Sequence, residues 1–200
     1  MQKVASACVL GGAEVLRLSQ QNHIRAIKKV LNIPIIGLIK QNYKNNEVFI
    51  TPTKKEIDIL INLDVNVIAL DATLRIRPYD NLETLVRYIR TKAPKKLILG
   101  DCSNIEDIKN ADKLGFDLVA TTLRGYTNET HNLSNLENNY EFIRSLKGVL
   151  KNAVLIVEGG IWRPEEARDL LNFNHVHAVI IGSAITRPQL ITERFIKISK

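Results

Sequence analysis

Two kinds of apolar pattern alternate along the chain. Short apolar runs, rich in β-branched residues, recur at Ile33–Lys40 (I-P-I-I-G-L-I-K), Val67–Asp71, Lys96–Leu99, Asp117–Thr121, Val154–Val157 and His177–Ile181, and Ala13–Leu18 reads as a short strand carrying Arg17. Runs without polar alternation predict strands buried on both faces. Between them, apolar residues spaced three or four apart predict helices over Met1–Leu10, His23–Leu31, Lys54–Leu63, Asn81–Arg90, Asn104–Leu114, Leu136–Leu150 and Gln189–Ile198, with another opening at Pro164. The boundaries carry matching signals. Gly11-Gly12 closes the first helix, and Gly115 ends another. Thr53 with Glu56, and Ser103 with Glu106, read as capping boxes, and Asp80 with Glu83 opens the helix between them. Pro164, followed by Glu165 and Glu166, suits a first helical turn.

Regular strand–helix alternation predicts parallel strands joined by helical crossovers. No G-x-G-x-x-G fingerprint favours a dinucleotide-binding sheet. Two glycine-bearing strand-to-helix corners near the carboxyl end point instead to a (β/α)8 TIM barrel. These corners are Glu158-Gly159-Gly160 and Gly182-Ser183, the latter followed by Arg187, and such barrels hold phosphate after strands 7 and 8. The count is seven strands and eight helices, and the chain begins on a helix. The expectation is therefore one TIM-barrel domain over residues 1–200 that lacks the first strand and is truncated at its amino end.

Two hundred residues lie at the low end for such a barrel, typically about 250. No apolar run reaches the length of a membrane span, and Met1–Leu10 lacks a signal-peptide pattern. Cys8 and Cys102 suggest neither a disulfide framework nor a zinc site, so a cytoplasmic protein without membrane attachment is expected. The net charge of +7 and pI near 9.4 raise the question of nucleic acid. Lys and Arg are scattered, however, and no nucleic-acid-binding signature occurs. A basic mouth that attracts an anionic metabolite uses the same charge.

Polar residues end several apolar runs: Lys40, Asp71, Asp101, Thr121 and Glu158. In a parallel α/β fold these ends share the ligand-binding face. A lysine there, if partly desolvated, offers a neutral amine as base or Schiff-base former, or else it snorkels into solvent. Glu158 suits an acid, a base or a helix cap. Asp71 and Asp101 suit sugar hydroxyls, a metal or loop anchoring, though no Asp/Glu/His cluster has metal spacing. His175 and His177 enter a strand from the wrong end for a ligand pair, and Cys102 has no histidine placed as its base. Trp162 follows the Gly-Gly corner as a lone aromatic that walls the site or simply packs.

Seven segments in order resemble bacterial N-acetylmannosamine-6-phosphate 2-epimerases. They are I-P-I-I-G-L-I-K (33–40), E-V-F-I-T-P-T (47–53), I-A-L-D-A-T-L-R-I-R-P (68–78), D-C-S (101–103), A-T-T-L-R-G-Y-T (120–127), E-G-G-I-W-R-P-E-E-A (158–167) and G-S-A-I-T-R-P (182–188). The resemblance implies epimerisation of N-acetylmannosamine 6-phosphate to N-acetylglucosamine 6-phosphate in sialic acid catabolism. The proton at C2 of the ring-opened sugar is removed and returned, with no cofactor and no metal. It implies Lys40 as the base, with Glu158 assisting ring opening and polarising the substrate. Arg17, Asp101 and Thr122 would line the sugar site, joined at the mouth by Asp71, Arg75 and Arg77. Gly159, Gly160, Gly182, Ser183 and Arg187 would hold the 6-phosphate. A homodimer is the family expectation.

Departures from the family pattern are Arg17-Leu18-Ser19-Gln20 for Arg-Ala-Asn-Gly, Lys40-Gln41-Asn42 for Lys-Arg-Asp, and Asp71-Ala72-Thr73 for Asp-Gly-Thr. No Ser-Cys-Gln-like first strand is seen. These departures keep two other readings open: an inactive protein that binds an amino-sugar phosphate, and another phosphosugar epimerase on the same barrel. A pentulose-phosphate epimerase, however, needs paired aspartates and histidines at strand ends.

Overall fold

The computed structural model describes residues 1–199. Seven strands form one parallel sheet in chain order: β1 (Leu16–Ser19), β2 (Ile35–Leu38), β3 (Val67–Asp71), β4 (Leu97–Asp101), β5 (Leu118–Ala120), β6 (Val154–Glu158) and β7 (Val176–Ile180). The helices are α1 (Gln2–Leu10), α2 (Gln21–Lys28), α3 (Lys54–Asn62), α4 (Leu82–Lys92), α5 (Ile105–Lys113), α6 (Glu137–Ser145), α7 (Pro164–Leu171), the short α8 (Ser183–Thr186) and α9 (Pro188–Ser199). Among the described residues β1 and β7 each pair on one side only, so they are the sheet's two edges.

Two apolar layers show how the sheet curls. The larger lies between sheet and helices and takes Ile35, Ile68, Leu70, Ile98, Val119, Leu155 and Val157. The smaller takes the alternate residues Ile36, Leu38, Val67, Ala69, Leu99, Ala120 and Ile156, with Ala178 and Ile180 of β7 against it. Among the described residues the smaller layer contains no helix residue, yet its members are buried, so the sheet bends round to enclose them. This is a barrel interior, and its two-sided burial explains the unbroken apolar runs. The backbone also has to come close to the outer helices. A Cβ on Gly37 would lie 2.7 Å from Val65 Cγ1, and one on Gly100 would lie 2.9 Å from Ala72 Cβ.

The predicted elements are present with shifted limits. The first strand starts at Leu16 rather than Ala13, and β2 stops at Leu38, short of Lys40. Lys40 forms a single antiparallel bridge with Ile50. The Thr53–Glu56 capping box is formed in full. The one expected at Ser103 is not. Asn104 caps α5 by accepting from the amides of Glu106 and Asp107, and Ser103 donates to Asp107 instead. Asn81, not Asp80, caps α4, and Asp80 pairs with Lys54. The sixth helix is shorter than the span Leu136–Leu150, ending at Ser145. Its start carries three left-handed residues, Asn138, Asn139 and Tyr140. The short α8 is additional to the eight predicted helices.

Candidate active site

Alternation along each strand decides which side chains reach the barrel mouth. Leu16 and Leu18 face the outer layer, so Arg17 faces in; Ala69, Leu99 and Ile156 face in, so Asp71, Asp101 and Glu158 do too. Arg17 reaches across from β1. Its Nη2 donates to Asp101 Oδ2 at 2.7 Å, and its Nε lies 3.2 Å from Glu158 Oε2. The Thr122 hydroxyl sits between the same two carboxyls, 2.6 Å from Asp101 Oδ1 and 3.0 Å from Glu158 Oε2. Four of the predicted residues thus form one connected cluster.

Its electrostatics follow from burial. The Asp101 side chain is fully enclosed and that of Arg17 is 9% exposed. Burial lowers the Arg17 pKa, but Asp101 and Glu158 outweigh it, and the guanidinium is held more firmly protonated than usual. For Glu158, burial is the largest influence and Asp101 adds to it. Together they push its pKa up against the opposing pull of Arg17, Thr122 and Lys40. A carboxyl held up in this way can act as an acid near neutral pH.

Lys40 stands on the same side of the barrel, close enough for its charge to act on Glu158. Its Nζ lies 5.8 Å from the centre of the Phe49 ring. Lys40 is solvent-exposed, which matches the second of the two alternatives for a lysine at the end of a buried run, the one that reaches into solvent. The chain turns at Ile39–Lys40 and carries the side chain out of the packed layer.

Asp71 is spoken for locally. Its Oδ1 accepts from the amide and hydroxyl of Thr73 at 3.0 and 2.6 Å, and its Oδ2 accepts from Arg75 at 2.8 Å. Burial raises the Asp71 pKa while Thr73 and Arg75 pull it back. Arg77 donates to the carbonyls of Asp71 and Thr73. Asp71, Arg75 and Arg77 therefore brace the loop after β3 at the rim of the mouth. Asp107 ties this loop to the next by accepting from the Leu74 amide, the Ser103 amide and the Ser103 hydroxyl.

At the corner after β6, Gly159 and Gly160 have φ of +109° and +78°, values that glycine adopts at little cost. Asn135, in the loop before α6, donates to the carbonyls of Glu158 and Gly159 at 2.8 and 3.2 Å and is buried. Nothing in the sequence distinguishes Asn135 from other loop asparagines, and only its fold neighbours mark it. Glu166 accepts from the amides of Trp162 and Arg163 and so closes the start of α7. Arg194 stacks on the Trp162 ring at 4.8 Å, so this aromatic joins the corner to α9. Gly182 and Ser183 open α8, and Arg187 follows it, exposed. At the opposite end of the barrel, His175 contacts the Ile143 carbonyl at 2.8 Å. Cys102 is fully enclosed and its thiol is pushed up by burial, as for a packing residue. Among the described residues no three His, Cys, Asp or Glu side chains are grouped to hold a metal ion. No helix there is long and apolar enough to cross a membrane.

A family model described as "Putative N-acetylmannosamine-6-phosphate epimerase" matches residues 1–200. The chain belongs to this epimerase family. A family protein from Mycoplasma capricolum subsp. capricolum is 57% identical over 187 residues, covering 94% of this chain and 82% of the relative. One from Staphylococcus saprophyticus is 47% identical over 196 residues, covering 98% and 87%. The solved structure of the N-acetylmannosamine-6-phosphate 2-epimerase from Clostridium perfringens superposes with a TM-score of 0.90 at 43% identity, over 98% of this chain and 84% of that one. A thiamine phosphate pyrophosphorylase from Pyrococcus furiosus shares the fold alone, with a TM-score of 0.61 at 15% identity. Family membership and the match to the solved epimerase place the seven strands within a TIM barrel.

Proposed function

We propose that this chain is an isomerase that interconverts N-acetylmannosamine 6-phosphate and N-acetylglucosamine 6-phosphate at C2, in the breakdown of amino sugars such as sialic acid. The observation that carries the reading is the family match over the whole chain, supported by the connected cluster of Arg17, Asp101, Thr122 and Glu158 at the barrel mouth. In the ring-opened sugar the C2 hydrogen lies next to an aldehyde. The Lys40 amine takes that proton as the C2–H bond breaks, and the electron pair becomes an enolate with its charge on O1. The Lys40 ammonium returns a proton to C2 once the enolate has turned its other face toward it, which gives the epimer. Glu158, whose carboxyl is held up by burial, donates to the ring oxygen during opening and to O1 as charge develops there. Arg17 supports this role through its charge, held between Asp101 and Glu158, and its Nη1 is buried without a hydrogen-bond partner among the described residues. Gly159, Gly160, Gly182, Ser183 and Arg187 hold the 6-phosphate, and the excess of basic residues suits an anionic sugar. The protein works in the cytoplasm as a homodimer, without nucleic acid, metal or redox cofactor.

The test is C2 hydrogen exchange followed by NMR in D2O with N-acetylmannosamine 6-phosphate, beside Lys40→Ala. Deuterium at C2 with growth of the gluco epimer, lost in the variant, is expected. Exchange that persists in Lys40→Ala would move the base elsewhere, and binding without exchange would reduce the chain to a sugar-phosphate receptor.

A further inference from the structure

The chain around Lys40 has an unusual support. Of the nine described residues other than glycine with positive φ, two stand against it: Gln20 at +73° and Thr51 at +44°. A positive φ is uncommon for any residue with a side chain and an outlier for a β-branched one. Both residues make the same kind of contact with the same dipeptide. The Gln20 side chain accepts from the Lys40 amide at 3.0 Å and donates to the Lys40 carbonyl at 3.2 Å. Thr51 accepts from the Ile39 amide through its hydroxyl at 3.2 Å and donates its own amide to the Ile39 carbonyl at 2.7 Å. Every backbone polar group of Ile39 and Lys40 is thus bonded to one of two strained residues. Neither belongs to β2 or β3, the strands paired beside these residues. Gln20 lies between β1 and α2, as the residue that opens the helix, and Thr51 follows the segment that bridges back from Ile50.

Strain of this kind persists only where the surroundings over-determine it, and it gathers at functional positions. The strand ladder does not hold Lys40, because β2 has already ended at Leu38. We infer that Gln20 and Thr51 are positioning residues: together they clamp the Ile39–Lys40 backbone and fix where the Lys40 amine stands. Thr51 is fully buried, so its side of the clamp is built into the core. Gln20 is exposed, so its side chain can be altered without opening a cavity. The catalytic part of this inference rests on the reading of Lys40 as the base; the clamp does not.

Gln20→Gly removes the side chain and relieves the backbone, since glycine adopts positive φ freely. Gln20→Glu keeps the length and the acceptor for the Lys40 amide but loses the donor to its carbonyl. Three quantities are read for each: kcat and KM with N-acetylmannosamine 6-phosphate, the midpoint of thermal unfolding, and hydrogen exchange at the Lys40 amide by NMR. For Gln20→Gly, which puts the glycine of the family pattern at this position, we expect a loss of kcat with KM little changed. Its melting temperature should be equal or higher, and exchange at Lys40 faster; Gln20→Glu should recover part of the kcat. Unaltered kcat in Gln20→Gly, or a loss of kcat that merely follows a loss of stability, overturns the positioning role. Should the parent protein prove inactive, the functional reading fails while amide exchange still decides the clamp. Faster exchange in Gln20→Gly than in the parent upholds it, and equal rates overturn it.

Discussion

The cluster at the mouth joins one cation to two carboxyls, and its balance depends on single atoms. Arg17→Met would leave Asp101 enclosed without its partner. Removing one member of a buried pair costs about 3–5 kcal/mol, so a large drop in melting temperature is expected beside the loss of activity. Arg17→Lys keeps the charge but not the two-sided contact, and should recover stability more than turnover. A second isolated carboxylate, Asp112, was not visible as a structural residue in the sequence. It accepts from the amides of Lys151, Asn152 and Ala153 at 3.0, 2.9 and 2.7 Å. Burial pushes its pKa up, but those three donors outweigh this and hold the carboxyl below its usual range. Its folded pKa therefore lies below the unfolded value, near 4. The stabilisation is complete above that pH and is lost as pH falls through the depressed folded value. Asp112→Ala should destabilise by about 1–3 kcal/mol near neutral pH, and its deficit should shrink in acid unfolding curves. Lys40, Asp101 and Glu158 could be picked out because each is a polar residue ending an apolar run. Gln20, Thr51 and Asn135 could not, because nothing in a sequence marks a glutamine or threonine for positive φ, or one asparagine for a particular carbonyl.

At the level of elements, the strands were legible because two-sided burial leaves no polar interruption to confuse with a helix. Their exact ends were not, since β2 gives way to a bridge at Lys40 with no change in apolar character. The box at Thr53–Glu56 was legible because both partners do what their types usually do; at Ser103 the hydroxyl found a better acceptor in Asp107. Packing of elements sets stricter limits than their patterns suggest. Gly37 lies in β2 just before the clamped dipeptide, where Val65 and Leu60 of the outer layer leave no room for a methyl group. Gly37→Ala should cost about 1–3 kcal/mol by overpacking, visible as a lowered urea midpoint with an unchanged slope. Gly125 sets a limit of another kind. Its φ is +87°, and a Cβ there would lie 2.5 Å from the Leu133 carbonyl oxygen. Gly125→Ala should spread the loop that begins beside Thr122 and ends at Asn135, and lower activity before it lowers overall stability.

Among the described residues, strands β2 to β6 have neighbours on both sides and β1 and β7 on one. Within that described part β1 and β7 thus each leave one edge without a partner, an edge to which one more parallel strand can add. An amino-terminal extension able to form that strand should raise the melting temperature and slow amide exchange in β1 and β7 most, whereas β4 should change least. Differential scanning calorimetry and residue-resolved exchange check both. The mouth also has an inventory of hydrogen ions. A hydroxyl has one to give, yet that of Thr122 touches two acids, so the Thr122–Asp101–Glu158 group is complete only when one acid carries a hydrogen of its own. Arrival of a sugar phosphate that disturbs Glu158 must then release or recruit a fraction of a proton from solution. The heat of binding should accordingly vary with the ionisation enthalpy of the buffer, and Thr122→Val should flatten that dependence.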